Sequence, residues 1–191
     1  MMRIITGSAK GIPLATLPGE TTRPTAERVK EAVFSMIQFE VEGMTVLDLF
    51  AGSGQMALEA LSRGARRATL CDSSREAISI IQKNAEKTKL APLCEIRNID
   101  ALTFLKTAPK EKYDLVFLDP PYRLSAIPVA LRLLLSGGLL RQTARIFCES
   151  ASFEDVFAGD ENLAGRFDCL RQNRYGAAHI TLLTPKGECL S

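Results

Sequence analysis

Four consecutive residues, Asp119-Pro120-Pro121-Tyr122, have the types and order needed to hold the amino group of a nucleobase. An exocyclic amine is a poor nucleophile because its lone pair is delocalised into the ring. The Asp119 carboxylate and the Pro120 carbonyl can accept hydrogen bonds from both of its N–H groups, and Tyr122 offers a flat face for stacking. The two prolines remove backbone donors and stiffen the loop. The segment alone leaves open the alternative of a proline-rich turn after a strand.

A glycine-rich segment earlier in the chain could approach a ligand with its backbone. Residues 50–54, Phe-Ala-Gly-Ser-Gly, lie at the end of the apolar run Thr45 to Phe50 and are called the glycine loop below. Gly52 and Gly54 allow a tight turn because no Cβ stands in the way, and a helix beginning after the loop would offer unpaired N–H groups. The alternative is an ordinary turn between a strand and a helix.

Two acidic residues end the next two strands of the predicted sheet. Asp72 lies about 20 residues after the glycine loop, where a carboxylate can bind the ribose diol of NAD or of S-adenosylmethionine. Asp100 could bond an adenine amino group. Each also has a structural alternative, since Asp72 could cap the helix beginning near Ser74 and Asp100 the helix beginning at Ala101.

The elements that must position these residues alternate along the chain, which predicts a mainly parallel sheet covered on both faces. The final two strands are joined by a short link and predict an antiparallel hairpin at the sheet edge. Residues 1–19, called the head, predict a small β-hairpin extension with strands at 3–6 and 12–17, and 20–191 predict the main domain. The body strands are predicted at 45–50, 67–71, 93–97, 113–118, 145–149, 167–173 and 178–183. The helices are predicted at 26–39, 55–63, 75–90, 101–106 and 127–135.

Composition places the chain among ordinary globular proteins. It has 191 residues, 46% of them hydrophobic, and 24 Lys+Arg against 22 Asp+Glu give a formal charge of only +2. Net charge therefore does not predict a nucleic-acid partner unless the basic residues cluster. The sequence shows no signal-peptide pattern and no membrane-spanning run. Five scattered cysteines without a C-x-x-C pair argue against a metal site or a disulfide framework, and free thiols favour the cytoplasm.

The joint order of these motifs resembles one family, the bacterial 16S ribosomal RNA guanine-N2 methyltransferases, which belong to the class I S-adenosylmethionine-dependent methyltransferases. D-P-P-Y on such a sheet looks like the signature of amino-methyltransferases. The resemblance extends from Arg3 to about Leu183. It rests on Thr22-Arg23-Pro24-Thr25, Arg28-Val29-Lys30-Glu31, residues 47–54, residues 58–65, the D-P-P-Y segment and Arg174-Tyr175-Gly176.

The resemblance implies an α/β fold of the class I (Rossmann-like) type, with a seven-stranded mixed sheet, helices on both faces and the small N-terminal hairpin. It implies methyl transfer from S-adenosylmethionine to the N2 amine of one guanine in small-subunit rRNA, within a small ribosomal subunit or an assembly intermediate. Asp119, Pro120 and Tyr122 would hold a flipped guanine. The residues that would contact the cofactor are Phe50, Gly52, Ser53, Gly54, Asp72, Asp100, Thr25 and Arg28.

The chain departs from the family at two places, since Asp72 replaces the usual Glu and Ser74 stands where a second acid is common. Basic residues in the first thirty positions favour an RNA-facing head, with Arg3, Lys10 and Arg23 as candidates. A solvated helix face is the alternative. The rival functions are a DNA adenine-N6 or cytosine-N4 methyltransferase, a non-catalytic RNA-binding assembly factor with this fold, and a nicotinamide-dependent oxidoreductase.

Overall fold

The computed structural model describes residues 2–17, 24–107, 111–121 and 125–187, and it does not describe the side chains of residues 24–26. The chain divides into two compact units, Met1–Ala101 and Leu102–Ser191. The described residues contribute seven strands to one mixed sheet. The predicted α/β fold class is therefore confirmed.

The first unit is a parallel α/β arrangement. Its strands are β1 (Thr45–Asp48), β2 (Arg67–Asp72) and β3 (Cys94–Asn98), and they lie in the order β3-β2-β1. Val46, Leu47, Ala68 and Leu70 in its strands are buried, as expected for a parallel sheet that is covered on both faces. Its other elements are α1 (Pro24–Met36), α2 (Gln55–Ser62), α3 (Arg75–Lys87) and a 3₁₀ turn (Ala91–Leu93).

The strands of the second unit are β4 (Tyr113–Leu118), β5 (Leu140–Ser150), β6 (Phe167–Tyr175) and β7 (Ala178–Pro185), and they lie in the order β4-β5-β7-β6. β4 and β5 run parallel, whereas β7 pairs antiparallel with both β5 and β6, which confirms the predicted hairpin at the sheet edge. Helix α4 (Ala101–Thr107) begins at the boundary between the units. The other elements are α5 (Ala126–Ser136), a 3₁₀ turn (Glu154–Val156) and α6 (Glu161–Ala164).

Among residues 2–17, the described part of the head, the chain folds back on itself through one antiparallel bridge, Arg3↔Pro13, instead of two regular strands. Ile4 N–H donates to the Ile12 carbonyl at 3.0 Å, and Leu14 N–H donates to the Met2 carbonyl at 2.8 Å. Pro13 has no N–H to donate, so a continuous ladder cannot form. The predicted boundary at 19/20 falls outside the described residues, so the division into head and main domain stays a prediction.

Buried polar side chains of the first unit hold the head in place. Glu59 accepts from Ile5 N at 2.7 Å and from Thr6 N at 3.0 Å. Ser62 Oγ accepts from Ala9 N at 2.9 Å. Gly7 has φ +88°, and a Cβ added to it would lie 1.7 Å from the Ser62 carbonyl oxygen, so glycine alone fits this close approach.

Some predicted boundaries are wrong. Strand β5 begins at Leu140 instead of at position 145, because residues 140–144 carry mostly exposed polar side chains that hide the strand pattern. Helix α3 ends at Lys87 instead of at position 90, because Lys89 adopts a left-handed backbone with φ 61° and the Thr88 hydroxyl donates to the Asn84 carbonyl. The short helix α6 was not predicted; Asp160 caps it by accepting from Leu163 N.

Candidate functional site

The glycine loop forms the turn between β1 and α2, as predicted. Gly52 has φ 53° and Gly54 has φ 77°, both in the left-handed region that glycine adopts without strain. Ala51 N–H donates to the Cys71 carbonyl at 3.0 Å, which ties the loop to β2. A Cβ on Gly54 would lie only 3.2 Å from Leu70 Cδ2, so the loop packs closely on that strand. The left-handed backbone at both positions and the close packing at Gly54 therefore explain why glycine stands there.

The carboxylate of Asp72 is joined directly to this loop. Its Oδ2 accepts from Gly52 N at 2.9 Å, and its Oδ1 accepts from Ser74 N at 2.8 Å. A carboxylate oxygen can accept two hydrogen bonds, so each oxygen keeps capacity for a further donor. The capping residue of α3 is Ser74, whose hydroxyl accepts from Ala77 N, and not Asp72. Asp72 is half-buried at the end of β2, and its contact with a cofactor stays a prediction.

Two acceptor oxygens beside the loop are buried and have no hydrogen-bond partner among the described residues. They are Oδ2 of Asp48, the last residue of β1, and Oε1 of Gln55, the first residue of α2. Asp48 is only 4% exposed. Burial raises the pKa of Asp48 to about 7, and the charge of Asp72 adds to this, while the N–H groups of Ala57 and Phe50 act against it. These two oxygens next to the loop are therefore free to accept hydrogen bonds from a bound ligand or from water.

The structure gives only the exposure or the position in the fold of four further residues that are predicted to contact the cofactor. Phe50 is half-buried in the glycine loop, and Asp100 is exposed immediately before α4. Arg28 is exposed on α1. Thr25 lies in the first turn of α1, where its side chain is not described. Their contacts with a cofactor stay predictions.

The Asp119-Pro120-Pro121 segment ends β4 in the second unit. The preceding run Leu115 to Leu118 is buried, as predicted. Asp119 and Pro121 are exposed, whereas Pro120 is buried. Both prolines line a pocket whose other walls include Ile127, Ser150 and Asp155. The segment thus borders a concave surface. Tyr122 lies outside the described residues.

Two of the three basic residues predicted to contact RNA, Arg3 and Lys10, lie in the described part of the head. Arg3 is exposed, and its carbonyl accepts from Lys30 Nζ at 2.5 Å. Lys10 is exposed in the turn that lies against Ser62, the last residue of α2. The third candidate, Arg23, lies outside the described residues. Contact of the head with RNA stays a prediction.

Asp48 and Asn84 are not among the predicted site residues, although the sequence carries a recognisable signal for both. Asp48 is a carboxylate inside an apolar strand run. Asn84 occupies the buried stripe of α3 that Ile80, Ile81 and Ala85 otherwise form. A polar side chain on a face that the helical period assigns to the core needs a specific partner.

Two further properties concern only the described parts of the chain. No helix there has the length and apolar character needed to cross a membrane. No group of three or more His, Cys, Asp or Glu side chains there is arranged to hold a metal ion.

Solved structures define the class to which this fold belongs. The structure described as "Putative methyltransferase yhhF from Escherichia coli" superposes with a TM-score of 0.83 and 32% identity, over 98% of this chain and 99% of that chain. The glycine loop and the adjoining acid thus lie in a fold of the methyltransferase class.

Sequence comparison gives the family. The sequence model of the protein family described as "Conserved hypothetical protein 95" matches residues 2–184, and the chain belongs to that family. The Bacillus subtilis relative described as "Putative rRNA methyltransferase YlbH" is 32% identical over 97% of this chain and all of its own length. The Escherichia coli K12 "Ribosomal RNA small subunit methyltransferase D" is 37% identical over 78% of this chain and 74% of its own. The family resemblance that the motifs predicted is confirmed.

Proposed function

We propose that the protein transfers a methyl group from S-adenosylmethionine to the N2 amine of one guanine in small-subunit rRNA. Family membership supports the coarser part of this assignment, S-adenosylmethionine-dependent methylation of rRNA. The observation that carries the cofactor assignment is the hydrogen bond from Gly52 N to Asp72, which joins the loop and the acid into one binding surface. The finer part of the assignment, the N2 amine of guanine as the methyl acceptor, rests on the D-P-P-Y segment and on the resemblance to the guanine-N2 methyltransferase family.

The residues of the first unit fit this cofactor. The Asp72 carboxylate would accept from the ribose hydroxyls with the capacity its two backbone bonds leave unused. Asp48 and Gln55 would accept from the α-ammonium group, which supplies the donors that their buried oxygens lack. Asp100 would contact the adenine amine. A cation beside Asp48 would also favour its ionised form and offset the cost of burial.

The Asp119-Pro120-Pro121-Tyr122 segment would hold the nucleobase. Asp119 and the Pro120 carbonyl would accept from the two N2 hydrogens, which draws the nitrogen towards a tetrahedral geometry, and Tyr122 would stack on the ring. When bound, S-adenosylmethionine would supply an already activated methyl group, so the N–C bond would form as the C–S bond breaks and N2 would then lose a proton. Alignment supplies most of the rate enhancement. Asp119 is first an orienting group and then a proton acceptor.

The target guanine must leave its stack before its N2 amine can enter such a site. Unstacking costs less in a loop than in a duplex, so a loop guanine is the favoured target. Arg3, Lys10 and Arg23 would contact backbone phosphates of the rRNA. Because the net charge is only +2, we expect an assembled or partly assembled small subunit, in the cytoplasm, to provide part of the docking surface.

Methyl transfer to small ribosomal subunits from cells that lack the gene tests the proposal. Labelled methyl should appear as N2-methylguanosine, and Asp119→Ala should lower the rate by about 10²-fold, because the target amine loses a charged acceptor. Asp168→Ala is the matched control, since this exposed aspartate on β6 pairs with Lys186 and should change the rate less than about twofold.

Other products would point elsewhere. Methylation of DNA adenine or cytosine instead of rRNA would favour the DNA methyltransferase alternative. Cofactor binding without transfer to any nucleic acid would favour the non-catalytic assembly factor. A wild-type chain that binds no S-adenosylmethionine would contradict the methyltransferase assignment altogether.

A second prediction concerns the cofactor alone. Asp72→Ala should raise the Kd for S-adenosylmethionine by about 10- to 100-fold, because hydrogen bonds to a charged group contribute about 1.5–3 kcal/mol. Equilibrium dialysis with labelled cofactor measures this. Ser74→Ala is the control, since it removes only the cap of α3 and should lower the free energy of unfolding by about 1 kcal/mol while the Kd stays within twofold. Equal Kd values for the two variants would contradict the ribose role.

A further inference from the structure

Asn84 links two parts of the first unit that are far apart in sequence. It lies on the buried face of α3 and is only 1% exposed. Placing an amide among apolar side chains costs free energy unless its polar atoms are bonded. Its neighbours on that face are Ala77, Ile80, Ile81 and Ala85, which bring no polar side-chain atoms. The partners of Asn84 must therefore come from other elements.

Those partners are the head and the glycine loop. Asn84 Oδ1 accepts from Ala15 N at 2.8 Å, and Asn84 Nδ2 donates to the Ala15 carbonyl at 2.9 Å. The same Nδ2 donates to the Ser53 carbonyl at 2.9 Å. Both amide hydrogens are thus used. One side chain engages both backbone groups of a head residue and the backbone of the loop.

The remaining anchors of the glycine loop lie on the strand side. Ala51 N–H donates to the Cys71 carbonyl and Gly52 N–H donates to the Asp72 carboxylate, so β2 holds the first part of the loop. Ser53, 3% exposed, is held from the other side by Asn84. Its hydroxyl lies 3.6 Å from Met2 Sδ, which adds a second contact with the head.

We infer that Asn84 is a positioning residue for the cofactor: it fixes the Ser53 peptide of the glycine loop and couples that loop to the head through Ala15. This rests on the proposed function, in which the loop binds S-adenosylmethionine. The head then acts as a support of the cofactor loop in addition to any contact it makes with RNA. Because coupling between sites is reciprocal, cofactor binding should in turn slow the opening of the head at Ala15.

Two substitutions break the link from opposite ends. Asn84→Asp keeps the size and the Oδ1 acceptor but removes both amide hydrogens that bond Ser53 and Ala15, and a protonated carboxyl group could restore at most one of these bonds. Ala15→Pro removes the N–H that donates to Asn84, at an exposed head position, so the core of α3 is untouched. Ser62→Ala is the matched control, because it frees Ala9 N and Thr6 O in the head turn and has no bond to the loop.

Two measurements decide the matter. In hydrogen exchange on the free protein, Asn84→Asp should speed exchange of the glycine loop about tenfold or more, and Ser62→Ala should speed exchange only in the head turn. In equilibrium dialysis, Asn84→Asp should raise the Kd for S-adenosylmethionine about tenfold, Ala15→Pro about threefold and Ser62→Ala less than twofold. A tenfold change corresponds to about 1.4 kcal/mol, the size of one or two hydrogen bonds.

Loop exchange or Kd values that are the same in Asn84→Asp and Ser62→Ala would overturn the inference, since a general loss of stability would then explain both. An unchanged Kd in Ala15→Pro would overturn the coupling to the head. Exchange in the free protein does not depend on any ligand. If the wild-type chain bound no S-adenosylmethionine while its loop still loosened in Asn84→Asp, the proposed function would fail and the structural link would stand.

Discussion

Replacing Glu59 by alanine should lower the free energy of unfolding by about 3–5 kcal/mol, because it leaves a buried ammonium group without its counter-charge. Glu59 and Lys30 have no exposed side-chain surface, and Lys30 Nζ lies 3.8 Å from Glu59 Oε2. The same carboxylate accepts from Arg63 Nε at 2.8 Å and from the N–H groups of Ile5 and Thr6. Urea unfolding followed by circular dichroism measures the loss.

The control for Glu59 separates charge from hydrogen bonding. Lys30→Met combined with Glu59→Gln removes both charges and keeps one acceptor, so the double variant should recover more than half of the loss. Relative to the wild type, Glu59→Ala should also speed amide hydrogen exchange more in the head than in the strands, because the head backbone loses two hydrogen bonds. A loss below about 1 kcal/mol in Glu59→Ala would contradict the view that Glu59 fastens the head.

Replacing Asp48 by asparagine should make the free protein more stable at alkaline pH and weaken its binding of S-adenosylmethionine. The pKa of Asp48 is raised from its ordinary value of 3.8 to about 7 by burial. Between these values the folded chain holds a proton that the unfolded chain has released, so the stability of the wild type falls as pH rises from about 4 to 7. Asparagine has no such proton to lose.

The difference between the variant and the wild type should therefore depend on pH. The two pKa values of Asp48, unfolded and folded, limit the gain in the free energy of unfolding of Asp48→Asn to about 4 kcal/mol above pH 7. Below pH 4 this gain should vanish. Unfolding at pH 4, 6 and 8 measures it. Glu86→Gln, at an exposed position of α3, controls for the loss of a negative charge. A gain of the same size at all three pH values would show that titration of Asp48 is not its source.

The two effects expected for Asp48→Asn have opposite signs, which is typical of a functional residue. Its unpaired Oδ2 costs stability in the free protein and would become useful only when a ligand donates to it. Weaker cofactor binding together with higher stability would support the proposed ammonium contact. Unchanged cofactor binding would leave Asp48 as a destabilising group without a role in binding.

The amino-acid sequence by itself determined the class of fold and most of the candidate site. Alternating apolar runs and helical stripes report local periodicity, and Gly52, Gly54, Pro120 and Pro121 constrain the backbone wherever they occur. The β1 turn, the acid at the end of β2 and the buried run before Asp119 were therefore predictable. The order of the motifs also predicted the family, because several weak local patterns in one order are together specific.

Only the tertiary structure decided how the head is held and which polar groups surround the glycine loop. The head is fastened by Glu59, Ser62 and Asn84, whose bonds to it join residues 53 to 69 positions apart in sequence. Local periodicity carries no information about such partners, and a buried amide or carboxylate becomes interpretable only when its bonded neighbours are known. The same reason explains Asp48: its sequence position marks a strand, whereas its raised pKa and unpaired oxygen arise from the packing around it.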